Sequence, residues 1–191
     1  RVVVDDTRTY QKIKLNSQQE KAYNSILENQ FNLLHGVTGS GKTEVYLHLV
    51  EKMLNEGKDS IVLVPEISLT PQTIERFEGR FPGKVAIIHS KLNVNEKFEQ
   101  FRKMYNGEYK IVVGARSAVF SPFKNLGLII IDEEHETSYV SEKNPKYNAI
   151  DISGFRAEYN NAKLLLGSAT PGVEEYSKAL KGEYNLIEMN K

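Results

Sequence analysis

Short runs dominated by apolar residues alternate along this chain with longer stretches in which apolar positions return every three or four residues. Phe31 to His35, Ile61-Val62-Leu63-Val64, Val85 to Ile88, Ile111-Val112-Val113, Leu128-Ile129-Ile130-Ile131 and Lys163 to Leu166 are runs of the first kind. Their length and lack of alternation predict strands buried on both faces, and Pro65 stops the second of them. Gln18 to Glu28 is predicted helical, opened by a capping box in which Ser17 is followed by Glu20. Thr43 to Asn55 carries Val45, Leu49 and Met53 on one face, with Gly57 just past its end. Thr70-Pro71 reads as the N-cap and first residue of a helix, and Thr170-Pro171 opens the last one. Val94 to Tyr105 is a further predicted helix, with Phe98 and Phe101 facing inward. Buried strands alternating with amphipathic helices give an α/β fold, a mostly parallel central sheet with helices on both faces. Residues 1–14 hold the β-prone run Val2-Val3-Val4 and no core pattern, so they are expected to be a lead-in to a domain over 15–191.

At 191 residues the chain is long enough for one domain that buries about 70% of its unfolded surface. The 25 basic and 25 acidic residues cancel. A protein that held nucleic acid by bulk electrostatics would be basic, so any such contact here must be local. No apolar run approaches the roughly 18 residues of a membrane span, and no signal-peptide pattern opens the chain. Cysteine is absent, which removes disulfides and thiolate zinc sites and fits a cytoplasmic protein. The first residue is Arg1 rather than Met, which leads to the expectation of an excised fragment.

The candidate chemistry sits at strand ends. Gly36-Val37-Thr38-Gly39-Ser40-Gly41-Lys42-Thr43 fits the phosphate-cradle pattern, and it stands between a predicted strand and a predicted helix as that pattern requires. Glycines let the backbone approach phosphates, and the helix that follows adds the positive end of its dipole. Lys42 reaches the β- and γ-phosphates of ATP, and the Thr43 hydroxyl holds Mg²⁺. Asp132 and Glu133 end an apolar strand, where open α/β sheets bind ligands. Asp132 would hold Mg²⁺ directly or through water, and Glu133 would take a proton from the attacking water. Gln19 can read an adenine edge with its amide donor and acceptor; a solvent-facing glutamine is the other reading. His35, His48 and His89 lack metal-ligand spacing and are expected to be structural.

Asp132-Glu133-Glu134-His135, Gly167-Ser168-Ala169-Thr170 and the glycine loop, in this order, resemble the first RecA-like lobe of a superfamily 2 helicase, a three-layer P-loop NTPase domain. Gly-Val-Thr-Gly-Ser-Gly-Lys-Thr-Glu-Val-Tyr (36–46), Val-Pro-Glu-Ile-Ser-Leu-Thr-Pro-Gln (64–72), Arg-Ser-Ala-Val-Phe-Ser-Pro-Phe-Lys-Asn-Leu-Gly (116–127) and Leu15-Asn16 with Gln19 are similar, more narrowly, to the bacterial primosomal replication-restart helicases of the PriA (primosomal protein N′) family. The resemblance implies ATP-dependent 3′→5′ unwinding of branched or single-stranded DNA in replication restart and primosome assembly, with primosome proteins and single-strand-binding protein as partners. It implies DNA-backbone contacts from Pro65 to Thr70 and from Gly114 to Ala118, including Arg116 and Ser117. It makes Ser138 to Asn148 a coupling loop whose Tyr139 and Tyr147 stack on bases, with Lys143 and Lys146 near phosphates. A mobile loop with surface tyrosines is the alternative. His135, Ser168 and Thr170 would relay nucleotide state to the DNA face.

The sequence departs from the family at Ala115, where Thr is usual, and at Lys146-Tyr147-Asn148-Ala149-Ile150-Asp151, where the family tends to carry Arg-Tyr-His-Ala-Arg-Asp. The family's second lobe with its arginine finger, its zinc sites and its N-terminal DNA-binding region are expected to lie outside this chain. The isolated chain is therefore expected to bind nucleotide weakly and hydrolyse ATP little. Competing readings are another superfamily 2 translocase, a nucleotide-gated DNA-binding module and a small-molecule P-loop kinase. Gly167-Ser168-Ala169-Thr170 argues against the kinase, and Glu133→Gln separates a motor, which loses turnover, from a switch, which does not.

Overall fold

The computed structural model describes residues 12–190 apart from Thr38, His135, Glu136, Pro145, Pro171 and Gly172. In chain order the elements are α1 (Ser17–Glu28), β1 (Phe31–Gly36), α2 (Lys42–Asn55), β2 (Asp59–Leu63), α3 (Pro71–Arg80), β3 (Val85–Ile88), α4 (Val94–Tyr105), β4 (Ile111–Gly114) and β5 (Leu126–Asp132). They continue with β6 (Val140–Ser141), β7 (Tyr147–Asn148), α5 (Ala149–Asn160), β8 (Lys163–Ser168), α6 (Val173–Leu180) and β9 (Asn185–Met189). Short 3₁₀ turns stand at Glu66–Ser68, Arg116–Phe120 and Thr137–Tyr139.

Seven strands form one sheet in the order β3-β4-β2-β5-β8-β1-β9, every neighbouring pair parallel. Alternate residues on each strand enter opposite cores. Leu34, Val62, Val113, Ile130 and Leu165 pack under α1, α2 and α3 with Val45, Leu49 and Phe77. Leu33, Ile61, Val112, Ile129 and Leu166 pack under the other helices with Met104, Ala157 and Ala179. Two buried faces explain the near-continuous apolar runs of the strands. No helix among the described residues is long and apolar enough to cross a membrane.

Three local expectations need correction. The cap of α1 is Asn16, not Ser17: Asn16 Oδ1 accepts from the Gln19 backbone N–H at 2.9 Å, and Gln19 Oε1 accepts from the Asn16 N–H at 2.9 Å. Asn is as good a cap as Ser, and the helix starts one residue earlier than its serine suggests. On α4 Phe101 and Met104 pack inward, with Lys97 Nζ 5.7 Å from the Phe101 ring centre, and Phe98 is turned out at 67% exposure. The strand β9 has no counterpart among the predicted elements; it adds to the sheet edge beside β1. The start expected for the final helix at Thr170-Pro171 falls partly outside the described residues, and α6 is described from Val173. The expected lead-in of residues 1–14 likewise lies mostly outside them. Ile13 is described, and its carbonyl accepts from His48 Nε2 at 2.7 Å.

The cap assignment is testable by urea unfolding. Asn16→Ala is expected to lose about 1 kcal/mol, while Ser17→Ala stays within ~0.5 kcal/mol. Equal losses would contradict it.

Candidate nucleotide-binding site

The strand order places β8 between β1 and β5, so the carboxyl ends of all three lie side by side. His35 pairs with Ser168, and Asp132 pairs with Gly167. The glycine loop, the acidic pair and the Gly-Ser-Ala-Thr string therefore share one end of the sheet, where parallel sheets receive ligands.

The loop is shaped by its glycines. Gly39 and Gly41 have φ of 78° and 89°, left-handed values that a Cβ disfavours. Gly41 is the N-cap of α2, so Lys42 and Thr43 stand in its first turn. A Cβ on the buried Gly36 would lie 2.7 Å from Ser40 Oγ and 3.0 Å from Lys42 Cγ, so a side chain there would crowd both residues of the loop. Lys42 Nζ donates to the Gly36 carbonyl at 2.5 Å, which keeps the ammonium over the cradle. Val37 is exposed at the rim, and Thr38 lies outside the described residues. Gln19 does not face open solvent: it is buried, and its Nε2 donates to the Gly41 carbonyl at 3.1 Å.

Across the sheet end, Asp132 Oδ1 accepts from the Tyr46 hydroxyl at 2.8 Å. Burial raises the Asp132 pKa, the Tyr46 hydrogen bond opposes the rise, Glu133 adds to it and Lys42 opposes it again. Glu133, directly after the strand, adopts φ 50°, a conformation costly for a non-glycine residue and typical of functional sites. Thr43 and Asp132 line one cavity of about 180 Å³ together with Tyr46, Gln72, Thr73 and Arg76. Among the described residues no group of three or more His, Asp or Glu side chains could hold a metal by itself. One carboxylate and one hydroxyl beside a phosphate cradle nevertheless suit Mg²⁺, which takes most of its ligands from phosphate and water.

The expected DNA-side residues divide. Pro65 precedes the Glu66–Ser68 turn, and Thr70 Oγ1 caps α3 by accepting from the Thr73 N–H at 3.3 Å. Ser117 and Arg116 line a second cavity of about 240 Å³ with Glu66, Ser90, Ala115 and Ser138, so the two expected backbone-contact segments do adjoin. Arg116 is also a staple: its Nη1 donates to the Ser138 and Val140 carbonyls, each at 2.9 Å.

Tyr139 is a correction. It is 1% exposed, its ring lies in the core, and its hydroxyl donates to the carbonyls of Asp132 and Leu63, so it is not placed to stack on a base. Tyr147 remains half-buried, edge-on to Phe120 at 4.9 Å with the Arg116 guanidinium 5.8 Å from its ring centre. Ser168 is buried and its Oγ accepts from the Thr170 N–H at 3.1 Å; Thr170 is exposed. His135 lies outside the described residues.

Two residues of the site carry no role in the sequence reading. Tyr46 stands one helical turn after Lys42, and that spacing is the only local signal it gives. Glu44 is buried in the first turn of α2, held by Arg80 at 2.6 Å, with His48 and Arg76 at 3.3 and 3.6 Å. A charged side chain beside the apolar run that opens α2 is its signal.

Residues 12–173 match the family model described as type III restriction enzyme, res subunit. Replication restart protein PriA of Bacillus subtilis is 51% identical over 183 residues, spanning 93% of this chain and 23% of that protein. PriA of Haemophilus influenzae is 43% identical over 183 residues, spanning 94% of this chain and 25% of that protein. The chain thus spans about a quarter of the length of these curated relatives. Among solved structures, RecG bound to a three-way DNA junction superposes with a TM-score of 0.67 at 25% identity, over 93% of this chain and 24% of that one. The UvsW helicase from bacteriophage T4 superposes with a TM-score of 0.64 at 19% identity, over 94% of this chain and 61% of that one, a likeness of fold. The sheet, the cradle and these relatives agree: the chain has the RecA-like lobe fold found in these helicase structures and belongs to the family of the type III restriction enzyme res subunit.

Proposed function

We propose that this chain is the ATP-binding lobe of an ATP-dependent 3′→5′ DNA helicase that acts in replication restart and primosome assembly. The observation that carries the reading is the shared cavity in which Thr43, from the glycine loop, meets Asp132, from a strand far along the chain. The PriA relatives support the biological setting, and RecG, itself bound to a three-way junction, supports branched DNA as the substrate class. On this reading the protein works in the cytoplasm, with primosome proteins and single-strand-binding protein as partners.

The residues divide the labour by position. Lys42 exchanges its bond to the Gly36 carbonyl for the β- and γ-phosphates. Backbone N–H groups of the loop and the first turn of α2 hold the remaining phosphate charge. Thr43 and Asp132 would hold Mg²⁺, which would neutralise charge developing on the phosphates. Glu133 takes the proton of the attacking water, as the acid placed directly after the metal ligand. The cavity around Arg116 and Ser117 takes the DNA backbone.

Titration with a fluorescent ADP in the presence of Mg²⁺ tests the site. The chain is expected to bind, and Lys42→Ala is expected to bind roughly tenfold or more weakly, from loss of a charged hydrogen bond of about 1.5–3 kcal/mol. Indistinguishable titrations would contradict the assignment. For the Arg116 staple, Arg116→Ala is expected to speed hydrogen exchange of backbone amides in 138–140, measured by mass spectrometry; unchanged exchange would mean that the two carbonyl contacts do not hold the segment.

A further inference from the structure

Tyr46 is buried at 2% exposure on the face of α2 that carries Lys42 one turn earlier. From there its ring crosses the end of β8 to reach Asp132 on β5. The residue it crosses is Gly167, the strand partner of Asp132. A Cβ on Gly167 would overlap the Tyr46 hydroxyl, and would lie 3.0 Å from Tyr46 Cζ and 3.3 Å from Asp132 Oδ1. The Gly167 carbonyl meanwhile accepts from the Glu134 N–H at 3.1 Å, so this strand end cannot simply retreat. One side chain therefore joins the helix of the phosphate loop, the metal-binding carboxylate and the first residue of the Gly-Ser-Ala-Thr string.

We infer that Tyr46 is the positioning residue that holds the Asp132 carboxylate in its metal-binding orientation, and that Gly167 is glycine because this contact passes over it. The inference rests on the nucleotide-site reading above and adds a residue to it. The chemistry is that of an outer-shell partner: a ligating carboxylate that is itself hydrogen-bonded presents a fixed oxygen to the metal. The phenol suits this task. A tyrosine hydroxyl keeps its proton at neutral pH and therefore serves as a donor to the carboxylate. The Glu133 backbone N–H donates to the same carboxylate and the two donors together restrict its rotation. The Tyr46 bond engages Oδ1, so Oδ2 is the oxygen that hydroxyl does not hold.

The experiment compares wild-type chain with Tyr46→Phe, an almost isosteric change, by fluorescent-ADP titration at a series of Mg²⁺ concentrations and again in EDTA. The inference predicts that the Mg²⁺ concentration for half-maximal binding rises roughly tenfold in Tyr46→Phe, while binding in EDTA is unchanged. A purely structural tyrosine would weaken both alike, and that result overturns the inference. So does an unaltered Mg²⁺ dependence with normal wild-type binding, which leaves the nucleotide site standing. If the wild-type chain shows no metal-dependent nucleotide binding at all, the nucleotide site falls and the inference falls with it. Gly167→Ala supplies a second variant: it is expected to raise the Mg²⁺ requirement in the same direction. Combining it with Tyr46→Phe is expected to cost less than the product of the two single effects, because both act on one hydrogen bond; multiplicative effects would contradict the shared contact.

Discussion

The parallel pairing of β8 between β1 and β5 is the constraint on which the rest of this structure depends. Parallel strands deliver their carboxyl ends to one edge of the sheet, and these neighbours deliver the glycine loop, Ser168 and Asp132 there together. Reversing one of the three strands would carry its motif to the opposite edge. The register adds a finer condition, because Asp132 stands opposite Gly167 rather than a residue with a side chain, which leaves room for Tyr46 to pass. Burial of both sheet faces, with alternate residues entering separate cores, holds that arrangement in place.

Around this sheet end the side chains form a continuous set of contacts between the two cavities. Tyr139 donates to the carbonyls of Leu63 and Asp132, and so braces the ends of β2 and β5 from beneath. Arg116 ties the turn it begins to the segment that carries Tyr139. On the other face Glu44 joins α2 to α3 through Arg80, and α3 is capped by Thr70, in the segment expected to meet DNA. A buried charge pair of this kind costs desolvation, so it is better understood as fixing the angle between two helices than as a source of stability. The nucleotide cavity and the Arg116 cavity are thereby linked on one face of the sheet, through Tyr139 and Arg116.

Much of this was readable in the residues, for physical reasons that also explain what was not. The strands announce themselves because burial on two faces demands unbroken apolar runs, and the cradle does so because its glycines have no substitute at φ of 78° and 89°. The sequence leaves the α1 cap open by one residue, since Asn16 and Ser17 are both good caps and only the hydrogen bonds choose between them. Phe98 lies off the inward stripe set by Phe101 and Met104, and a single exposed aromatic carries no mark in the sequence that separates it from a buried one. Tyr139 sits in a polar stretch that reads as exposed, yet its hydroxyl finds two backbone carbonyls and its ring goes inside. The edge strand β9 is short, and of its five residues two are partly buried and one is exposed, which leaves little signal. Tyr46 was invisible as a site residue because its partner lies 86 positions away.

The most direct test is a crystal structure of this chain with Mg²⁺ and ADP. Expected there is a metal about 2.1 Å from Thr43 Oγ1 and from a β-phosphate oxygen, with the Asp132 carboxylate on the metal or on one of its waters and Lys42 Nζ moved from the Gly36 carbonyl to phosphate. Nucleotide bound away from the glycine loop, or a metal out of reach of Asp132, would contradict it.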